Sequence, residues 1–344
     1  EFIEFAAIAT VGDVMDLQDE NRIVVKEGLR RMKNTKNYGL RALIRVNHLE
    51  EAELTGYHIG FVLGPCINAS GRLSTAKKAL NLLLCKDEKK AQELAEELKA
   101  LNDSRKEMTQ KGVEQAEKLV ETTELKEDRV LVIYLPDCHE SLAGIIAGRI
   151  RETYNKPVIV LTKGKDGVKG SGRSIETYHM FKELVKCKDL LSKFGGHPMA
   201  AGLSLPEENI EAFRRALNKK CTLTQEDMME KVLIDVPMPI SYVTLPFIRQ
   251  LSLLEPFGKG NNKPVFAEKN IKITQCRIFG KNKNVVKMKL YDKTGICMDG
   301  VWFGDGEAFV NEIQEKERWS IAYYPSINTY NGRESIEIIV QNYI

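Results

Sequence analysis

KGSGRS (169–174) and, further on, FGGHPMAAGLSL (194–205) are the two pieces of sequence on which the fold turns. The first sets Arg173 among serines and glycines at the end of a strand-like run. The second joins Gly195, Gly196 and His197 to a run of small residues that permits close packing behind them. Glycine lets a backbone approach a bulky anion and adopt positive φ. Exposed N–H groups beside an arginine fork make a phosphate site. A glycine-rich turn with a surface arginine is the plainer alternative for either piece alone. The flanking sequence is α/β in pattern. Residues 129–135 spell a buried strand, 142–154 a helix and 157–161 a second strand, which together make a β-α-β unit. Residues 168–174 continue as a strand, and helices over 178–185 and 207–219 frame the glycine-rich loop.

Towards the N-terminus, residues 87–121 carry apolar side chains at helical spacing among Glu and Lys. A helix of that length reaches about 50 Å, which suits a bridge between two domains. The alternative is two shorter helices broken near Asn102-Asp103. Upstream, residues 5–11 look like a strand, and Asp13 stands at its end, where α/β sheets place ligands. Asp13 there either coordinates a cation or caps the next turn, and Asp16 is the weaker candidate. Helices are expected over 20–32 and 39–46, with another capped by Ser74 and ending near Leu84. Residues 64–72 form a turn-rich segment whose Asn68 and Arg72 suit sugar and phosphate, or else a structural loop. The opening has no initiator methionine and reads like the middle of a strand. The chain is therefore expected to begin inside a domain.

Towards the C-terminus, residues 235–239 form a linker and 244–253 a helix. Short strands then follow over 271–279, 285–291, 297–303, 319–324 and 335–340, with one helix over 307–315. Five strands and one helix suggest a small closed barrel of the OB type. Lys269, Lys272, Arg277, Lys281, Lys283, Lys287 and Lys289 follow one another with no acidic residue between them. Aromatic residues lie nearby, including Phe279, Trp302, Phe303 and Tyr330. Basic groove plus stacking rings is how such barrels hold single strands. A solvated lysine-rich hairpin is the alternative.

A chain of 344 residues is long enough for two or three domains. Its net charge is only +3, so global charge selects no partner. Seven cysteines without a C-x-x-C pair indicate neither a zinc ribbon nor a disulfide framework, which fits a reducing cytoplasm. No apolar run approaches the roughly 18 residues of a membrane span. His139-Glu140 opens the β-α crossover, where a helix N-terminus offers free N–H groups. It is not a zinc motif, because Ala143 takes the place of the second histidine. Walker A, dinucleotide and nucleophile-elbow patterns are all missing.

Taken in order, IATVGDVMDL (8–17), GPCINASGRL (64–73), HESLAGIIAGRI (139–150), KGSGRS and FGGHPMAAGLSL resemble the RecJ exonucleases of the DHH phosphoesterase superfamily over nearly the whole chain. The resemblance implies an α/β fold in four parts. These are the C-terminal remnant of a DHH catalytic domain over 1–85, a long connecting helix over 86–122, a DHH-associated α/β domain over 123–235, and a linker helix with an OB barrel over 236–344. It implies 5′→3′ hydrolysis of single-stranded DNA in recombination and repair, with two Mn²⁺ or Mg²⁺ ions. Asp13 and His197 match catalytic positions, Asp13 as a metal ligand. Asn68, Arg72, His139, Ser171, Arg173, Gly195 and Gly196 match substrate-binding positions, and Lys281, Lys283 and Lys287 fall where the barrel holds the strand. Single-stranded DNA is the implied partner, with single-strand-binding protein or a helicase as further ones, and no membrane.

The chain departs from the pattern at Cys66, where arginine is common, at Ser141, where glycine is usual, and at Asp16, where proline is frequent. The family's Asp-x-Asp motif, its second aspartate motif and its Asp-His-His triplet are absent. The expectation is a chain that binds single strands and hydrolyses little or nothing. The alternatives are a short-oligonucleotide phosphodiesterase of the same superfamily, a non-catalytic strand-binding or adaptor protein, and a tRNA-editing domain.

Overall fold

The computed structural model describes residues 2–164 and 167–344, so Glu1 of the expected opening strand lies outside it. The front of the chain is helical. The run expected as a strand forms α1 (Ile3–Gly12), and Asp13 ends that helix, its N–H donating to Ala9 O at 2.9 Å. A short, almost wholly apolar run does not distinguish helix from buried strand. Ala6, Ala7 and Ala9 favour the helix. Ala7 is fully buried against α2 (Asp19–Met32), where a Cβ on Gly28 would come within 2.3 Å of Ala7 Cβ.

The next helix, α3 (Tyr38–Val46), is capped by Asn37, whose Oδ1 accepts from Leu40 N–H at 2.8 Å. The segment expected to be turn-rich is helix α4 (Gly64–Leu73). Pro65 fits the first helical turn, where its missing N–H costs nothing. Burial of Cys66, Ala69 and Ser70 outweighs the poor propensity of Asn68 and Gly71. Asn68 and Arg72 therefore lie one turn apart on one helix face. Ser74 closes α4, its N–H donating to Ser70 O at 2.9 Å, and it does not cap α5 (Lys77–Leu84), which starts without a side-chain cap. Then α6 (Glu88–Thr122) runs unbroken for 35 residues from its Asp87 cap. Asn102 is buried on the same stripe as Ala91, Ala95, Leu98, Val113 and Ala116, which carries the helix through the expected break.

The β-α-β unit is present as β1 (Leu131–Tyr134), α7 (Ala143–Tyr154) and β2 (Val158–Gly164), with β1 and β2 parallel. Strand β3 (Gly167–Arg173) runs antiparallel to β2. After α8 (Met180–Val185), the glycine-rich segment forms the hairpin β4 (Lys193–Gly196) and β5 (Ala200–Leu205), where a loop is expected from sequence. The alternation of buried Ala201, Leu203 and Leu205 with more exposed neighbours explains the strand. Helix α9 (Ile210–Lys220) follows, and the sheet order is β1-β2-β3-β5-β4. Along β2, Val158 and Val160 face a core shared with α6 and α7, whereas Ile159 and Leu161 face one shared with Phe213 and Leu217 of α9.

The expected linker contributes strand β6 (Val236–Pro237), which is followed by α10 (Leu245–Leu251). Strands β7 (Phe266–Phe279), β8 (Val285–Tyr291) and β9 (Cys297–Phe303), helix α11 (Gly306–Ile313), and strands β10 (Trp319–Tyr330) and β11 (Arg333–Tyr343) complete the chain. The ring β7-β8-β9-β11-β10 closes on β7, and β6 adds to β7 in parallel. Only β9 and β11 are parallel within that ring, and α11 joins the third strand to the fourth, as in an OB fold. Its core holds Phe266, Val286, Leu290, Phe309 and Tyr323. Tyr323 Oη reaches back to Met238 O at 2.8 Å, which satisfies a buried hydroxyl.

The chain divides into two compact units. One comprises Glu1–Arg31, Leu54–Ile59 and Lys231–Ile344, and the other Met32–Glu53 and Gly60–Glu230. No helix among the described residues is long and apolar enough to cross a membrane.

Candidate phosphate-binding site

Within the second unit, β3 delivers Arg173 to the opening turn of α7. Gly144 makes the approach possible: a Cβ there would lie 2.8 Å from Ser171 Oγ and 2.9 Å from Arg173 Nη2. Arg173 Nη1 donates to Gly172 O at 2.8 Å and sits 3.4 Å from Ser171 Oγ, so the guanidinium and the hydroxyl face one place. The side chain is half-buried, and among the described residues it pairs with no carboxylate. Burial, and after it the charge of Arg72, push its pKa below the ordinary arginine value. A buried cation without a counter-ion is costly unless an anion arrives.

Arg72, on α4, comes to the same place. Its Nη1 donates to Ser141 O at 2.9 Å, in the single 3₁₀ turn that leads into α7. His139 caps that turn: its Nδ1 accepts from Ser141 N–H at 3.3 Å and lies 2.7 Å from Ser141 Oγ. Two further arginines, which sequence reasoning overlooks, join the cluster. Arg105 on α6 has its pKa lowered by burial, then by Arg72 and Arg149, the latter on α7. The acids nearby are committed elsewhere: Asp103 to Lys99 at 2.6 Å, Glu152 to Arg151 at 3.1 Å and Glu140 to Lys169 at 2.7 Å. Four guanidiniums thus share a region without a carboxylate partner among the described residues. A trace of this is present in the sequence, since Arg149 lies within the HESLAGIIAGRI motif and Arg105 follows Asn102 by one helical turn.

The hairpin β4–β5 is tied to the same strand end. Arg173 pairs with Ala200, and Ser174 N–H donates to Met199 O at 2.9 Å. Gly196 has φ +156°, and a Cβ there would lie 2.4 Å from Ala200 O, so the hairpin's turn requires glycine. Gly195, Gly196 and His197 are exposed, as is Asn68 on α4.

Asp13 belongs to the other unit, exposed at the end of α1, while Asp16 pairs with Lys259 at 2.9 Å. In the barrel, strand pairing and α11 bring acids to lysines that have none beside them in sequence. Lys283 meets Glu307 at 2.5 Å, Lys289 meets Asp299 at 2.7 Å and Lys287 approaches Glu337 at 3.7 Å. Lys281 has no ion-pair partner among the described residues. Trp302 stacks inward on Phe309, whereas Phe279 and Phe303 are 47% and 59% exposed and both flank Val285 in register.

The geometry and the fold define a two-part class: an α/β domain with a cluster of arginines unpaired among the described residues and an OB domain in one chain. The DHHA1 domain model matches residues 127–223 and the RecJ OB domain model residues 234–342. The single-stranded-DNA-specific exonuclease RecJ of Bacillus subtilis is 34% identical over 99% of this chain, and that of Escherichia coli also 34% over 99%. The crystal structure of Thermus thermophilus RecJ in complex with Mg²⁺ superimposes with a TM-score of 0.84 at 28% identity, covering 99% of this chain and 52% of that one. This chain carries a DHHA1 domain and a RecJ OB domain and is similar to the RecJ exonucleases over 99% of its length. It spans 44% and 61% of the lengths of the B. subtilis and E. coli proteins.

RecJ structures have been solved with Mg²⁺ and with Mn²⁺. Among the described residues of this chain, no group of three or more His, Cys, Asp or Glu side chains is placed to hold a metal ion. The donors present do not fit a two-ion centre, which needs several carboxylate and imidazole ligands.

Proposed function

We propose that this chain holds single-stranded DNA by its 5′-terminal phosphate, as the strand-gripping part of a RecJ-type 5′→3′ exonuclease acting in DNA recombination and repair. The observation that supports this best is the half-buried Arg173 set against Ser171 and the opening of α7, with no carboxylate to neutralise it among the described residues. A terminal phosphate there would take N–H bonds from the guanidinium, an O–H bond from Ser171 and the positive end of the α7 dipole. Arg72 and Asn68 would steady the strand, with His139 beside the opening of α7. His197, in the hairpin turn, would lie beside the scissile group. In the OB domain, the exposed rings of Phe279 and Phe303, with Lys281 close in sequence, suit stacking and backbone contact with single-stranded DNA.

Hydrolysis in the family is metal-dependent, and Asp13 alone supplies too few ligands, so the chain by itself binds and hydrolyses little or nothing. Its setting is a reducing cytoplasm, where single-strand-binding protein or a helicase would present the strand.

Titrating fluorescent oligonucleotides tests this. A 5′-phosphorylated strand should bind more tightly than its 5′-hydroxyl counterpart, and Arg173→Ala should weaken it by about 1–3 kcal/mol. Equal affinity for the two strands contradicts the assigned role, and robust digestion in Mn²⁺ contradicts the missing-ligand account.

A further inference from the structure

Arg105 is held unlike the other three arginines. Its Nε donates to Asn102 Oδ1 at 3.0 Å, one turn back on α6. Asn102 is only 1% exposed, and its Nδ2 lies 3.4 Å from Cys66 Sγ on α4. Cys66 is itself fully buried and lies 3.8 Å from Asn47 Nδ2. A buried amide whose oxygen is given to a guanidinium and whose nitrogen is anchored on a neighbouring helix has one orientation available. It takes the Nε donor and leaves the four N–H groups of the two terminal nitrogens for another acceptor. None of those groups meets a carboxylate among the described residues. Arg149, on α7 beyond Gly144, is likewise without one. Gly148, on the same face of α7 as Gly144, has open space where a side chain would be.

We propose that Arg105 and Arg149 hold a second phosphate of the bound strand, next to the terminal phosphate at Ser171 and Arg173, and that Asn102 is the positioning residue that aims Arg105 at it. This rests on the terminal-phosphate site proposed above. The two sites make separate demands. Arg173 distinguishes a phosphorylated end from a hydroxyl end, whereas Arg105 reads an internal linkage that every strand possesses.

The salt dependence of binding separates them, because each phosphate neutralised on a single strand adds about 0.7 to the slope of log K against log salt. Arg105→Ala should weaken binding about tenfold and lower that slope by about 0.7, with the preference for a 5′-phosphate unchanged. Arg105→Lys should restore the slope, since it restores the charge. Asn102→Ala should weaken binding several-fold in the parent chain and have no further effect in the Arg105→Ala background. Melting temperatures identify any variant that fails to fold, and Arg105→Lys keeps the question answerable if Asn102→Ala does. An unchanged slope in Arg105→Ala overturns the proposal. So does loss of the 5′-phosphate preference in that variant, which would place Arg105 on the terminal phosphate. A parent chain without any such preference would instead refute the terminal-phosphate reading, while the slope would still judge Arg105.

Discussion

Gly144→Ala should hold or raise stability while lowering affinity. The added Cβ would sit 2.8 Å from Ser171 Oγ and 2.9 Å from Arg173 Nη2, and ordinary van der Waals contact begins near 3.4 Å. Both groups must retreat by about half an ångström, and both can, because each is the free end of a side chain. Strain in the fold is therefore small, and replacing a helical glycine by alanine returns up to about 1 kcal/mol. The melting temperature should stay level or rise. The phosphate loses more, because charge-assisted hydrogen bonds are worth about 1.5–3 kcal/mol and depend on aim. A loss of about 1–2 kcal/mol means roughly 5- to 30-fold weaker binding of a 5′-phosphorylated strand. Fluorescence anisotropy with matched 5′-phosphate and 5′-hydroxyl oligonucleotides reads this directly. Undiminished affinity for the phosphorylated strand would refute the placement of the phosphate between β3 and α7. An equal fall for both strands would show that the effect lies elsewhere than at the terminus.

Three further outcomes follow from local geometry. Gly196→Ala should destabilise the chain by about 1–3 kcal/mol, because φ +156° and a backbone oxygen 2.4 Å away leave no room, whereas Gly195→Ala meets open space and should melt like the parent. Asp87→Ala removes the cap of α6, whose carboxylate accepts from Lys90 N–H at 2.7 Å, and should cost about 1 kcal/mol in denaturant titration. Burial pushes the Glu268 carboxyl above its ordinary value of 4.5, against the opposing hydrogen bond from Ile240 N–H. The folded chain then holds that proton more tightly than the unfolded one, so the stability is full below pH 4.5 and is lost as pH rises through the raised value. Glu268→Gln should therefore lose less melting temperature than the parent between pH 4.5 and neutrality, and an identical decline would exclude Glu268 as the source.

Much of the fold is legible in the sequence because its signals are long or periodic. The stripe of α6, the β-α-β unit and the barrel strands all lie close to where the sequence puts them. Asp13 reads as a strand end because an apolar run of that length carries no decisive period; the alanines tilt the run towards helix, and the packing of Ala7 against Gly28 fixes it. Residues 64–72 look like a turn because Gly, Pro, Asn and Ser are counted locally, whereas burial of Cys66, Ala69 and Ser70 is a tertiary effect. Arg173 and Ser171 can be singled out from glycine spacing. Arg105 and Arg149 leave only a faint trace in the sequence, since what marks them is the commitment of nearby acids to other cations. The same blindness works in reverse in the barrel, where the lysine run has no acid in sequence but Glu307, Asp299 and Glu337 reach it in space.

A structure of this chain bound to a short 5′-phosphorylated oligodeoxynucleotide tests the central claim most directly. The terminal phosphate should sit within about 3 Å of the Arg173 guanidinium and the Ser171 hydroxyl, at the first backbone N–H groups of α7. A terminal phosphate bound anywhere else, with Arg173 left facing solvent, would contradict it.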